Sequence, residues 1–140
     1  MGFESRNQRR YTEMRRHEDW LRQAKRKLES ARWDMEGSFY EDACFSAQQA
    51  AELAVKAMLE REGRFEPGHS ISALLGKLGE IPLELKEAAR TLDRYYIPPR
   101  YPNSFASGAP MDYYGQKEAE EAIHLAQSIV EFAARVIAGL

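Results

Sequence analysis

The chain has 140 residues, of which 44% are hydrophobic and 30% are charged, and its formal net charge is −2 at pH 7. This length is typical of one domain that buries its own core, and this composition excludes a disordered or collagen-like chain. Every apolar run falls short of the ~20 residues that a membrane span needs. The first residues lack the apolar segment of a secretory signal, and the one cysteine, Cys44, excludes an internal disulfide. We therefore expect a cytoplasmic protein without a membrane segment.

The charge is unevenly distributed along the chain. Residues 1–37 contain ten Lys and Arg against seven Asp and Glu, whereas residues 38–140 contain ten against fifteen. We interpret the basic start as a solvated terminus, because the chain as a whole lacks the strongly basic composition of a nucleic-acid-binding protein. The sequence predicts a basic N-terminal extension over residues 1–15 and one helical domain over residues 16–140.

The first two predicted helices are long. Apolar residues recur at steps of three and four over residues 12–36, just before Gly37, which predicts a helix with one buried face. A second helix is predicted over residues 40–61, with Ser38 and Glu41 as a capping box at its start and a glycine, Gly63, just after its end. It is apolar on nearly all sides and rich in alanine, so we expect it to be the central helix.

Three further helices complete the predicted fold. A short helix begins at Ser70 or Ser72, a fourth covers residues 83–94, and the last covers residues 115–137. The residues of the short and the fourth helix that are predicted to face inward are Ala73, Leu74, Leu75, Leu78, Leu85, Ala88, Ala89 and Leu92. No strand pattern is present. The sequence predicts an all-α protein, an antiparallel up-and-down bundle of four long helices plus one short helix.

The segment before the last helix, residues 95–114, contains five of the seven tyrosines and four of the six prolines. A flexible linker is rich in Gly and Ser instead, so we expect an ordered loop that packs on the bundle. Arginine binds phosphate and tyrosine stacks on bases, which makes this region a candidate site for a nucleotide or single-stranded RNA. The candidate residues are Arg94, Tyr95, Tyr96, Arg100 and Tyr101. The alternative is that the tyrosines seal the bundle and the arginines pair with acidic residues.

A second set of polar candidates lies on the second helix. Gln48, Glu52 and Lys56 are spaced by four residues and share one side of a helix that is otherwise apolar. Three interpretations stay open: a structural network at the core edge or a dimer seam, a ligand or catalytic pocket, and simple exposure to solvent. His69, at the start of the short helix, is a capping or an active residue. Metal-ligand spacings and a glycine-rich phosphate loop are lacking, so we expect no metal and no cofactor.

Three segments of the sequence resemble the HEPN domain family of small helical proteins. Residues 43–57 (ACFSAQQAAELAVKA) are similar to its central helix, residues 68–75 (GHSISALL) to its short-helix signature, and residues 92–102 (LDRYYIPPRYP) to its loop motif. The resemblance covers about residues 17–138. It implies an up-and-down bundle that forms homodimers. It also implies one of two functions, either nucleotide binding beside a small nucleotidyltransferase partner in a toxin–antitoxin pair, or metal-independent cleavage of RNA.

The RNase branch of the family has an Arg, then four to six intervening residues, then a His, near the start of the last helix. No His follows Arg94 or Arg100 within seven residues, and the matching pair of Arg64 and His69 falls between the second and third helices. The resemblance therefore favours the nucleotidyltransferase-associated branch, with ATP or GTP as the expected kind of ligand and Arg100 and Tyr101 as the leading site candidates. Two alternatives stay open: an RNase toxin that uses Arg94, Arg100 or His69, and a purely structural dimer.

Overall fold

The computed structural model describes the backbone of residues 6–140 and the side chains of residues 16–140. In this part of the chain five α-helices form an up-and-down bundle without a β-strand, which confirms the predicted fold class. The helices are α1 (Arg6–Glu36), α2 (Tyr40–Arg61), α3 (Ile71–Leu75), α4 (Leu83–Asp93) and α5 (Gln116–Ile137). The backbone of α1 begins before residue 12, the predicted start. The predicted basic extension over residues 1–15 lies outside the residues whose side chains are described.

The central helix of the bundle is α2, as its apolar sequence predicted. It packs mainly against α1 and α5, and it also contacts α3 and α4. Its six fully buried alanines are Ala43, Ala47, Ala50, Ala51, Ala54 and Ala57. These small side chains let the neighbouring helices lie close to the α2 backbone, and larger apolar side chains fill the remaining space. None of the described helices is both long and apolar enough to span a lipid bilayer.

The turn between α1 and α2 differs from the prediction. Ser38 does not cap α2, because its φ of +65° is in the left-handed region. Its backbone N–H donates to the Met35 carbonyl at 3.0 Å, and the N–H of Phe39 donates to the Asp34 carbonyl at 2.8 Å. Ser38 thus closes the C-terminus of α1, a role that glycine usually fills. The predicted capping box was wrong, and Phe39 precedes α2 without a side-chain cap.

The other helix ends follow the sequence more closely. Gly63 follows α2 with a left-handed φ of +75°, as its position predicted. Ser70, one of the two predicted caps of α3, accepts a hydrogen bond from the Ala73 N–H at 3.1 Å. The predicted inward residues of α4 are all buried, and in α3 Leu74 and Leu75 are buried as well. Leu78, predicted as an inward residue of the short helix, lies beyond its end and is partly buried against the core. Ala73 is exposed, contrary to the prediction, because it lies across this one-turn helix from the buried Ile71.

The segment between α4 and α5 is ordered, as its composition predicted. It forms three short 3₁₀ turns that each begin at a proline: Pro98–Arg100, Pro102–Ser104 and Pro110–Asp112. The ring of Phe105 stacks on that of Tyr113 with 4.1 Å between centroids. Tyr114 meets Phe105 and Tyr95 edge to face, at 6.3 Å and 5.9 Å. These ring contacts join parts of the segment to one another, and Tyr95 and Tyr114 also pack against the core of the bundle.

Candidate functional site

Three polar side chains lie along one face of α2. Gln48 is fully buried and Glu52 is 4% exposed, although most of their neighbours on the helix are apolar. The Lys56 ammonium lies 3.1 Å from a Glu52 carboxylate oxygen, and 14% of the lysine side chain is exposed. A buried charge is costly unless it is paired, so this ion pair explains how both groups lie beneath the surface.

The loop before α3 brings His69 onto the same carboxylate. The Nδ1 atom of His69 lies 3.2 Å from each Glu52 oxygen. The amide of Gln48 donates to the His69 backbone carbonyl at 3.1 Å and to Glu52 at 3.3 Å. When Nδ1 carries its hydrogen, Glu52 orients the ring and Nε2 is the nitrogen left for another partner. The histidine side chain is 54% exposed, so the ring is accessible to a ligand.

Asp93, the last residue of α4, holds the backbone that follows His69. Its carboxylate accepts hydrogen bonds from the N–H groups of Ile71 (2.7 Å) and Ser72 (3.2 Å) and from the Ser70 hydroxyl (3.2 Å). A carboxylate at the N-terminus of a helix satisfies N–H groups that have no partner within the helix. Because α4 and α2 both hold this loop, His69 has a defined position.

The guanidinium of Arg100 lies among three aromatic rings. Its Nε donates to the Tyr96 carbonyl at 2.7 Å. Its central carbon is 4.4 Å from the ring centroid of Phe45, 4.6 Å from that of Tyr96 and 5.1 Å from that of Tyr101. The Tyr96 ring in turn stacks on the His69 imidazole, with 4.5 Å between centroids and 17° between planes. The loop arginine and the α2 carboxylate are therefore connected through Tyr96 and His69.

These side chains form one group, which we call the His69–Arg100 cluster. Its members are Phe45, Gln48, Glu52, Lys56, His69, Tyr96, Arg100 and Tyr101. The positive charge of Lys56 is balanced by Glu52, whereas Arg100 forms no ion pair with any residue from 16 to 140. The cluster therefore has an excess of positive charge and suits an anionic ligand. Over the same residues, no group of three His, Cys, Asp or Glu side chains is arranged to hold a metal ion.

Two of the predicted candidates lie apart from this cluster. The ring of Tyr95 packs edge to face on Tyr114, and burial, with a smaller contribution from Cys44, raises the pKa of Tyr95 to about 12. Arg94 is exposed at the end of α4. Tyr95 and Tyr96 are adjacent in sequence, and they diverge because successive side chains of a turn point in different directions. The sequence indicated that the tyrosines and arginines of residues 94–101 are candidates, but it did not show which of them are in contact.

Sequence reasoning missed two residues of this region. The apolar pattern of α2 assigns Phe45 to the core, and its ring instead carries the Arg100 guanidinium. The pattern of α4 assigns Asp93 to a solvated face, and it holds the His69 loop. The spacing of Phe45 and Gln48 by three residues was a signal that both share a helix face. Arg64, which matches the RNase spacing to His69, contacts Glu66 at 3.2 Å and the Lys77 carbonyl, and within residues 16–140 it forms no hydrogen bond or ion pair with the side chains of the cluster.

Comparison with known proteins identifies the family of this chain. The family model of the HEPN domain matches residues 17–137. The chain belongs to the HEPN domain family. One curated relative, "Putative toxin MJ1304" of Methanocaldococcus jannaschii, is 26% identical over 124 residues, which cover 80% of this chain and 82% of that protein.

Solved structures support the same assignment for this HEPN chain. TT1696 from Thermus thermophilus is 44% identical, with a TM-score of 0.84 over 86% of this chain and 97% of that one. ST0689, an archaeal HEPN homologue, is 43% identical, with a TM-score of 0.76 over 86% and 97% of the two chains. A HEPN domain protein from Thermotoga maritima, tm0613, is 38% identical, with a TM-score of 0.71 over 87% and 99%.

The cluster lies where the three HEPN-like sequence segments meet. The α2 segment supplies Gln48, Glu52 and Lys56, which we call the α2 polar row. The loop before α3 supplies His69, and the loop after α4 supplies Tyr96 and Arg100. In this HEPN domain the segments that carry the resemblance are therefore also the segments that build the cluster.

Proposed function

We propose that this HEPN domain is the toxin-type subunit of a toxin–antitoxin pair, acts as a homodimer beside a small nucleotidyltransferase, and binds a nucleotide such as ATP or GTP at the His69–Arg100 cluster. The HEPN match and the relative named "Putative toxin MJ1304" support the toxin assignment. The dimer, the nucleotidyltransferase partner and the nucleotide follow from the family resemblance and from the chemistry of the cluster.

The observation that carries the nucleotide proposal is the arrangement of Arg100. Its Nε is used by the Tyr96 carbonyl and its face by aromatic rings, so the guanidinium is held in one orientation. A planar guanidinium binds two phosphate oxygens through parallel hydrogen bonds, and an arginine that is already ordered loses little entropy on binding. The exposed imidazole of His69, stacked on Tyr96, lies beside it.

Calorimetric titration of the purified protein with ATP and GTP, in the presence of Mg²⁺, tests this proposal. We expect saturable binding by the wild-type chain. A charge-assisted hydrogen bond contributes about 1.5–3 kcal/mol, so Arg100→Ala is expected to weaken binding by about 10–100-fold. The matched control is Arg90→Ala, which removes the same charge from an exposed position of α4.

The outcome separates the nucleotide module from the purely structural dimer. Equal affinity in wild type and Arg100→Ala, or no heat with either nucleotide, contradicts nucleotide binding at the cluster. Thermal unfolding of each variant shows whether a lost signal reflects a lost fold. A search for an adjacent reading frame that encodes a small nucleotidyltransferase, followed by co-expression of the two proteins and gel filtration, tests the protein partner.

A second candidate function is metal-independent RNA cleavage, which the contact between Glu52 and His69 favours. A histidine whose Nδ1 is held by a carboxylate presents Nε2 as a base. In such a reaction Nε2 would take the proton of a ribose 2′-hydroxyl, and the 2′-oxygen would attack the adjacent phosphorus. The 5′-oxygen would leave with a proton from water, which gives a 2′,3′-cyclic phosphate and a 5′-hydroxyl end.

RNA cleavage in excess EDTA tests this candidate. The RNase interpretation requires fragments with cyclic phosphate ends that disappear in His69→Ala and in Glu52→Gln. Intact RNA with the wild-type protein excludes it and leaves the nucleotide-binding module.

A further inference from the structure

Two aromatic rings of the cluster, those of Tyr96 and Phe45, are in contact with other side chains of the cluster. The Tyr96 ring has the His69 imidazole at 4.5 Å and the Arg100 guanidinium at 4.6 Å from its centroid. The Phe45 ring has the same guanidinium at 4.4 Å. Stacking of a nucleobase on a protein ring needs an open face. A base that stacked on the face of Phe45 that Arg100 covers, or on the face of Tyr96 that His69 covers, would displace these side chains.

The strong acceptors of the cluster are used as well. Both Glu52 oxygens contact His69, and one of them also pairs with Lys56. The Gln48 carbonyl accepts from the side chain of Gln49 at 2.7 Å. Discrimination between bases requires donors and acceptors that match the base edge. With the Glu52 oxygens occupied and Gln48 fully buried, no side-chain carboxylate or amide oxygen of the cluster is open to the exocyclic amine of a base.

The groups that remain are donors suited to an anion. Nε of Arg100 is used, which leaves the two terminal nitrogens of the guanidinium with four N–H donors. The exposed imidazole of His69 lies beside these donors, with Nδ1 facing Glu52. Two phosphate oxygens match the guanidinium geometry.

We propose that the His69–Arg100 cluster binds the phosphate groups of its ligand and does not recognise the base. The ligand class is the phosphate ester of a nucleoside with any base. This inference rests on the nucleotide binding proposed above. It makes that proposal more specific, because it assigns the binding energy to the phosphate groups of the ligand.

Competition calorimetry with a matched ligand set tests the inference. The set contains ATP, GTP, CTP and UTP, inorganic tripolyphosphate, and the nucleosides adenosine and guanosine, all in the same Mg²⁺ buffer. We expect the four triphosphates to bind within about threefold of one another and tripolyphosphate within about tenfold of them. Adenosine and guanosine are expected to bind at least about 100-fold more weakly than the triphosphates.

Two variants make the test specific to the cluster. Arg100→Lys keeps the charge but loses the planar fork, so it is expected to weaken all four nucleotides and tripolyphosphate by a similar factor. Among the tyrosine and phenylalanine rings of the cluster, Tyr101 is the exposed one, at 46%. Tyr101→Leu is expected to leave the relative affinities for the four bases unchanged.

The possible results separate this inference from the proposed function. A preference of more than about tenfold for one base, binding of free adenosine, or a base-selective loss in Tyr101→Leu overturns the inference while nucleotide binding stands. Absence of binding by every compound overturns both. If Arg100→Lys binds all four triphosphates with the affinity of the wild type, the inference is also overturned, because the phosphate site then lies elsewhere.

Discussion

Gln48 is a fully buried amide that holds two members of the cluster at once. Its nitrogen donates to Glu52 and to the His69 carbonyl, and its oxygen accepts from Gln49. Gln48→Met keeps a similar side-chain length and removes these hydrogen bonds. Since acceptors in a buried site then lose their donor, we expect a loss of about 1–3 kcal/mol in the free energy of unfolding, measured with urea.

A second measurement on Gln48→Met reports on the position of the His69 ring as well as on stability. The His69 ring protons lie over the Tyr96 ring, so proton NMR is expected to show them shifted upfield in the wild type and nearer to the values of an unstacked histidine in the variant. Gln23→Met, at an exposed position of α1, is the control and is expected to stay within about 0.5 kcal/mol of the wild type. A wild-type histidine spectrum in Gln48→Met contradicts the positioning role.

The chemistry of single residues was readable from the sequence, but their neighbours were not. Spacing alone placed Gln48, Glu52 and Lys56 on one face of α2. The contact between Glu52 and His69 joins residues 17 positions apart, and it depends on how the loop before α3 crosses α2. No local pattern encodes such a crossing, so His69 stayed a residue with two open interpretations.

At the scale of elements, the segment between α4 and α5 is held by partly buried tyrosines whose ionisation opposes folding. Burial raises the pKa of Tyr95 from 10.0 to about 12. The folded state therefore binds the phenol proton more tightly than the unfolded state. The contribution of Tyr95 to stability is complete below pH 10 and is lost as the pH rises towards 12.

Tyr95→Phe tests this element, because phenylalanine keeps the ring contact with Tyr114 and cannot ionise. Urea unfolding between pH 8 and pH 11.5 is expected to show a smaller loss of stability with rising pH in the variant. The difference is expected to be below about 1 kcal/mol, since the partly exposed phenol is screened by solvent. The variant retains some alkaline loss, because burial also raises the pKa of Cys44 and of Tyr114. If the free energy of unfolding falls equally with rising pH in the wild type and in Tyr95→Phe, the ionisation of Tyr95 does not contribute to the alkaline loss of stability.

Helix extents were predictable because glycine and proline mark their ends. Gly63, Pro82 and Gly115 all lie just outside helices in the structure. The turn at Ser38 was not predictable, because Ser-x-x-Glu matches a capping box whether or not the backbone is extended. A serine with φ of +65° is unusual, and only the close succession of α1 and α2 requires it there.

At the scale of the whole molecule, the sequence predicted the type of bundle, and the packing of α2 against its neighbours determines the site. Three segments with different local patterns meet at the cluster, and each pattern alone permitted a structural interpretation. The alanine-rich core of α2 was a strong signal for the fold. It carried no information on which side chains of the loops reach the α2 polar row.

The proposed homodimer has a thermodynamic consequence for the entire chain. If only folded chains associate, dimer formation stabilises the folded state by mass action. The unfolding temperature then rises with protein concentration. We expect sedimentation equilibrium to give about twice the 16.1 kDa mass of one chain. We also expect a Tm that increases when the protein is concentrated from about 1 μM to about 100 μM, the range where typical homodimers dissociate and form.

Arg100→Ala, measured under the same conditions, shows whether the dimer and the nucleotide site are independent. If the cluster binds its ligand within one protomer, the variant loses nucleotide binding and keeps both the dimeric mass and the concentration-dependent Tm. A variant that becomes monomeric shows instead that Arg100 acts at the subunit contact. A wild-type chain of monomeric mass with a Tm independent of concentration contradicts the homodimer itself, since a folded dimer must be favoured at higher concentration.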